Sequence, residues 1–173
     1  MGYSASFNPS GGAAIAGLGM TEMTREYTYS ATGLAGIAVR QAIADAGLGK
    51  DDIDGLFINA GVTNSISTGL QTSLGFRNLK LLNHMNAAGS TAGQMIQYAS
   101  LAIQAGMASH VVCVFADDPL KPGTSAGAAY SGTGRPAIGM ASLPGAYGFF
   151  SGANTSYALA ARRHMGLYGT TQD

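Results

Sequence analysis

Two rhythms alternate along the chain. Short apolar runs at 13–20, 53–59, 79–85 and 111–115 have the length of strands, and Val111-Val112-Cys113-Val114-Phe115 is β-branched enough to predict burial on both faces. Between them lie segments with helical spacing. Residues 31–46 place Leu34, Ile37, Ala38 and Ala42 on one stripe with Arg40 and Asp45 off it, and Gly47 is a natural stop. Residues 91–106 form a second helical stretch, and 154–168 a third, with Tyr157, Ala161 and Met165 on one stripe. Strands alternating with helices predict an α/β fold. Residues 61–74, rich in Ser, Thr and Asn, predict a loop with a short helix, and Lys50-Asp51-Asp52 a solvated turn with no metal role.

The stretch Asn86-Ala87-Ala88-Gly89-Ser90-Thr91-Ala92-Gly93 stands out because it opens the second helix with small residues alone. Backbone N–H groups there are approachable by a ligand, and the helix dipole favours an electronegative atom at that point. Close packing explains such a start as readily. Ser90 is a candidate nucleophile only if a base adjoins it; otherwise its hydroxyl caps or packs. Cys113, the single cysteine, is expected in the core as a small hydrophobe, and His84 in the core or at an interface.

Composition narrows the class without naming a chemistry. Hydrophobic residues make up 46% of the 173 positions and charged residues 10%, which is the profile of a folded domain and not of a disordered tail. Formal net charge is zero and Lys/Arg do not cluster, so nucleic acid is not an expected partner. No apolar run has membrane-spanning length and no secretory pattern opens the chain, so a cytoplasmic protein without membrane association is expected. One cysteine leaves no internal disulfide and no cysteine-rich zinc site. The expected organisation is a leader at 1–12, a core at 13–118, and a Gly/Ser/Ala/Pro-rich segment with the following helix at 119–173. Met140, Leu143, Tyr147, Phe149 and Phe150 in that segment want a surface to bury against.

Asn86-Ala-Ala-Gly-Ser-Thr-Ala-Gly resembles the thiolase turn Asn-x-x-Cys-Ser/Ala-x-Gly. Three further pieces resemble the sterol-carrier or lipid-transfer branch of that superfamily: Ala14-Ile-Ala-Gly-Leu-Gly-Met-Thr, Ile53-Asp-Gly-Leu-Phe, and Tyr157-Ala-Leu-Ala-Ala-Arg-Arg-His-Met-Gly-Leu-Tyr-Gly-Thr-Thr. The resemblance implies the N-terminal half of a thiolase fold: a mixed five-stranded sheet covered by helices, plus a loop domain. A complete subunit of that kind is about twice as long, and Thr170-Thr171-Gln172-Asp173 reads as a helix start with nothing behind it, so a fragment inactive by itself is expected. The resemblance further implies an acyl-coenzyme A thioester as substrate, no covalently bound cofactor, and a homodimer formed through 79–85. It places Asn86, Gly89, Ser90, Met140, His164 and Met165 at the substrate, with Met165 bordering the acyl pocket and Arg162 and Arg163 either in solvent or on coenzyme A phosphates.

One departure limits the chemistry. Gly89 stands where thiolases carry the nucleophilic cysteine, and a hydrogen cannot accept an acyl group. Thiolytic or Claisen chemistry is therefore disfavoured. Retro-aldol cleavage, which needs a base and a stabilised enolate, remains open, with N–H groups near Gly89 and Ser90 as the carbonyl cradle. The alternative expectation is a non-catalytic acyl-coenzyme A or lipid-binding subunit completed by a zinc-ribbon and OB-fold companion chain.

Overall fold

Three of the apolar runs become one parallel sheet, β1 (Gly55–Asn59), β2 (Leu81–His84) and β3 (Val111–Phe115), in the order β2-β1-β3. In the computed structural model, which describes residues 11–123, Leu143 and 153–172, Gly55 lies opposite both Leu81 and Val111. All five residues of central β1 are buried, as a parallel strand covered on both faces requires. Its alternation sorts the core. Leu56 and Ile58 join Ala31, Ala35 and Val39 of helix α1 (Ala31–Asp45), while Phe57 joins Met95 and Ala99 of helix α3 (Thr91–Gln104). Leu56 and Ile58 are fully buried, each worth about 1.5–3 kcal/mol by burial alone. A short helix, α2 (Leu70–Leu74), adds Leu70 to the α1 side.

Helix α1 begins where the Ser30 side chain accepts the Gly33 N–H at 3.3 Å. It ends at Asp45, followed by Gly47 at φ +68° and a Leu48 N–H to Ile43 carbonyl bond of 3.0 Å that closes the last turn. The buried face is not the stripe expected from spacing. Ala31, Ala35, Gly36 and Val39 face the sheet, and Ile37, Ala38 and Ala42 are half-buried.

The reason lies in residues 13–20, where a strand was expected and none forms. Gly17 and Gly19 let that extended backbone lie directly on α1: a Cβ at Gly17 would stand 2.2 Å from the Ala42 carbonyl oxygen, and one at Gly19 1.9 Å from that of Ala38. The Leu18 N–H donates to Asp45 at 2.9 Å and the Met20 N–H to the Gln41 side chain at 3.0 Å. A cleft of about 430 Å³ is lined by 13–18 together with Val111, Val112 and Cys113, so no ladder joins the segment to β3. The sheet among the described residues therefore has three parallel strands, not a mixed five.

The chain forms two units, Met1–Ala126 and Gly127–Asp173. The second contains helix α4 (Ala153–Tyr168), closed by Gly169 at φ +67°, whose N–H donates to the Met165 carbonyl at 2.9 Å. Met140, Tyr147, Phe149, Phe150 and most of the expected leader lie outside the described residues. No helix among the described residues is long and apolar enough to cross a membrane.

Candidate functional site

The carboxyl ends of parallel strands are where open α/β sheets place ligands, and here three loops leave that edge together. The first follows β2. The Met85 N–H donates to the Ile58 carbonyl at 2.8 Å, which carries the β2 pairing one residue past the strand. The turn then builds itself from short polar side chains. Asn86 Oδ1 accepts the Ala88 N–H at 3.0 Å, Thr91 Oγ1 accepts the Ala87 N–H at 2.9 Å and donates to the Ala88 carbonyl at 2.7 Å. Ala88 is held at φ +49°, a conformation uncommon for a residue with a Cβ.

Ser90 closes the 3-10 turn Ala88–Ser90 that leads into α3. Its hydroxyl donates to the Ala87 carbonyl at 2.8 Å and its N–H to the same oxygen at 3.1 Å. Both groups are thus engaged within the turn, and the hydroxyl makes no capping bond to α3. The expected carbonyl cradle loses the Ser90 N–H for the same reason. Gly89 has no positive φ, and a Cβ built on it meets none of the described residues within 4 Å. Among the described residues, its lack of a side chain answers no demand of the backbone or of packing, and none of them fills the space beside it.

The second and third loops follow β1 and β3. Asn59, the buried last residue of β1, is 6% exposed. Its Nδ2 donates to the Met85 carbonyl at 2.7 Å, its Oδ1 accepts the Gly61 N–H at 3.3 Å, and its own carbonyl accepts the Ala116 N–H at 3.2 Å. Asp117 accepts the N–H groups of Val62 at 2.7 Å, Thr63 at 3.2 Å and Asp118 at 2.9 Å, and the Thr63 hydroxyl lies against the same carboxylate. Asp118 takes the Ala31 N–H, the Thr63 hydroxyl at 3.0 Å and the Lys121 ammonium at 3.5 Å. Burial opposes the Asp118 charge, but Ser65, the Ala31 N–H, Thr63 and Lys121 hold its carboxyl below the usual carboxylate range.

The other expected residues fall in different places. Cys113 is only half-buried: it packs against the cluster of Phe57, Met85, Met95 and Ala99 while lining the cleft beside 13–18, and burial pushes its thiol up to about 11, so it flanks the core and does not lie within it. His84 is exposed, not a core histidine. His164 and Met165 belong to α4 in the second unit; His164 Nδ1 lies 3.0 Å from the Thr170 hydroxyl, its ring is 4.7 Å from that of Tyr168, and Met165 is half-buried. Arg162 and Arg163 are exposed. No group of three or more His, Cys, Asp or Glu side chains gathers among the described residues in a way that would hold a metal.

Asn59, Thr63 and Asp117 were not singled out by sequence. Their signal was present, since Asn59 ends an otherwise apolar run Leu56-Phe57-Ile58, and the acidic pair directly follows β3.

No family model matches the chain. Over 167 residues it is 35% identical to the steroid side-chain-cleaving aldolase of Thermomonospora curvata, a match covering 94% of this chain and 42% of that protein. Over 103 residues it is 35% identical to the 17-hydroxy-3-oxo-4-pregnene-20-carboxyl-CoA lyase of Mycobacterium tuberculosis, covering 60% of this chain and 26% of the lyase. Among solved structures it resembles the Ltp2-ChsH2(DUF35) aldolase, with a TM-score of 0.69 and 30% identity over 91% of this chain and 39% of that one. The chain therefore spans less than half the length of each of these relatives. They are named for aldolase and lyase chemistry, and none of the three for acyl transfer or sterol carriage. The expectation of a thiolase-like protein that makes or breaks carbon–carbon bonds is corrected accordingly: the relatives' names carry aldolase and lyase chemistry, and the non-catalytic binding subunit is not favoured either.

Proposed function

We propose that the protein to which this chain belongs is a carbon–carbon lyase of the retro-aldol kind, acting on the coenzyme A thioester of a steroid side-chain acid. One observation carries the reading: the turn at the head of α3 presents Gly89, with no nucleophile and no described residue filling the space beside it, in a chain 35% identical over 94% of its length to an aldolase. Retro-aldol cleavage needs no covalent acyl-enzyme. A base takes the proton of the β-hydroxyl, the carbonyl of the new ketone forms, the Cα–Cβ bond breaks, and its electron pair moves onto the thioester as an enolate that is then protonated at Cα. The chemistry asks for a base and for donors at the thioester oxygen. In this reading the N–H of Gly89 and the Asn86 carboxamide help hold that oxygen, and neither is a base.

Coenzyme A enters this reading as part of the substrate, with no covalently bound cofactor. A thiolase-type ancestry in which the nucleophile has been lost belongs to the same proposal, as do Met140, His164 and Met165 as residues near the acyl group. A companion chain of the zinc-ribbon and OB-fold kind is proposed because the solved relative carries a joint name, Ltp2-ChsH2(DUF35). A homodimer is proposed on the outer edge of β2, where Leu82, Asn83 and His84 are exposed. Sedimentation of the intact protein decides that last point, and a monomer would remove it.

The activity is tested with the intact protein and its companion, using 17-hydroxy-3-oxo-4-pregnene-20-carboxyl-CoA. The expected products are the 17-ketosteroid and propanoyl-CoA in equal amounts, formed without free coenzyme A. Cleavage that consumes free coenzyme A, or no cleavage, overturns the reading.

A further inference from the structure

Asparagine is a poor choice for the last residue of a buried central strand. It is depleted in strands, and a buried carboxamide left unpaired costs about 1–3 kcal/mol. Asn59 nonetheless sits there, and three of its bonds each reach a different loop of the carboxyl edge: Met85 at the entrance to the 86–90 turn, Gly61 at the start of the next loop, and Ala116 just before the Asp117–Asp118 pair. Met85 is gripped twice by neighbouring residues of one strand, through its N–H by the Ile58 carbonyl at 2.8 Å and through its carbonyl by Asn59 Nδ2 at 2.7 Å. The residue that follows is Asn86, whose side chain builds the turn around Ala88 and Gly89. A leucine in this position would bury more apolar surface and leave the Met85 carbonyl and the Gly61 N–H without their partners.

We propose that Asn59 is a positioning residue: its carboxamide sets the place of the Asn86–Ser90 turn, and through it the donors that meet the thioester oxygen. The proposal rests on the reading of that turn as the substrate carbonyl site. It makes Asn59 act at second hand, through the Met85 carbonyl, with no contact to substrate. The orientation of the carboxamide follows from its partners, since a carbonyl faces Nδ2 and an N–H faces Oδ1. Loss of the Nδ2 donor frees the turn to shift, and a displacement of about 1 Å at a catalytic geometry lowers turnover by as much as 100-fold.

Asn59→Asp is the informative variant, made in the intact protein. It keeps the shape and the acceptor for Gly61, and at neutral pH replaces the donor facing Met85 by a carboxylate oxygen. Two readouts are taken: hydrogen exchange of the peptide covering 86–90 without substrate, and kcat and KM for the thioester named above. Expected are faster exchange across 86–90 and a kcat lowered about tenfold or more with KM within twofold, with partial recovery relative to wild type at acid pH, where the introduced carboxyl is protonated and can donate again. Asn59→Ser, still a donor but shorter, is expected to fall between the two. Unchanged exchange with unchanged kcat overturns the proposal, and so does a failure of both variants to fold, which would assign Asn59 to stability alone. If wild type leaves the thioester intact while Asn59→Asp loosens 86–90, the functional reading fails and the link between Asn59 and the turn stands.

Discussion

The Asp118 carboxylate accepts the backbone N–H of Ala31 at 3.3 Å, joining the segment after β3 to the first residue of a helix 87 positions earlier. Ala31 is fully buried, so water does not take over that N–H when the carboxylate is removed. The same side chain receives Thr63 and Lys121, so one carboxylate ties α1 to two loops of the carboxyl edge.

Asp118→Ala should therefore lower stability by about 1–3 kcal/mol, the range for losing a cap together with a buried charge-assisted bond. Asp118→Asn should lose less, because it keeps an acceptor for Ala31. Urea midpoints on the two variants read the difference. A loss below about 0.5 kcal/mol for the alanine would place Asp118 among ordinary surface positions.

Asp54 plays the matching part at the other end of the strands. Its carboxylate accepts the Ser109 N–H at 2.8 Å and the His110 N–H at 2.8 Å and meets Lys80 at 3.0 Å. Burial works against its charge, but His110, Lys80 and Ser109 outweigh it and hold the carboxyl below its ordinary value. Asp54 and Asp118 both have depressed folded-state pKa values, so the stability they contribute is present above the unfolded carboxylate value near about 4 and is lost as pH falls below it. Stability should be flat from neutral pH down to about 5 on their account and should fall steeply below about 4. In Asp54→Asn that acid limb should be shallower, as thermal unfolding across pH would show; an identical limb would exclude Asp54 as a contributor.

Much of the fold was legible because its cues are local. The run Val111–Phe115 is the strand itself, and the spacing in 31–46 with Gly47 marks α1 to within a residue. Residues 13–20 carry the same apolar signal without becoming a strand, because strand formation needs a ladder partner, and Gly17 and Gly19 commit that backbone to α1 instead. The site divides in the same way. The small-residue turn at 86–90 is visible in sequence, whereas Asn59 and Asp117 work through partners 26 and 55 positions away, which no local pattern records.

Gly61 tests how firmly that long-range arrangement is held. It sits at φ +63°, and a Cβ there would stand 2.3 Å from the Asp117 carboxylate oxygen that receives the Val62 N–H. Gly61→Ala thus combines a left-handed backbone with displacement of the acceptor. A loss of at least about 1–2 kcal/mol is expected. Equal urea midpoints for variant and wild type would show that the Asp117 bonds do not constrain this loop.

Gly89 should behave in the opposite way. No described residue lies within 4 Å of a Cβ placed on it and its φ is not positive, so Gly89→Cys should change stability by no more than about 0.5 kcal/mol. The new thiol would stand exposed on the turn before α3, where a helix N-terminus favours the thiolate. Cys113, with burial pushing its thiol up to about 11, is ionised to roughly one part in 10,000 at pH 7 and is half-shielded besides. Iodoacetamide at neutral pH should accordingly label the native Gly89→Cys variant once, at position 89, and leave native wild type essentially unmodified. Rapid labelling of wild type would show that the cleft beside Cys113 admits the reagent and that burial does not suppress its thiolate. A Gly89→Cys variant that folds but resists labelling would mean that the space beside Gly89 is closed in solution, and would remove the opening on which the lyase reading depends.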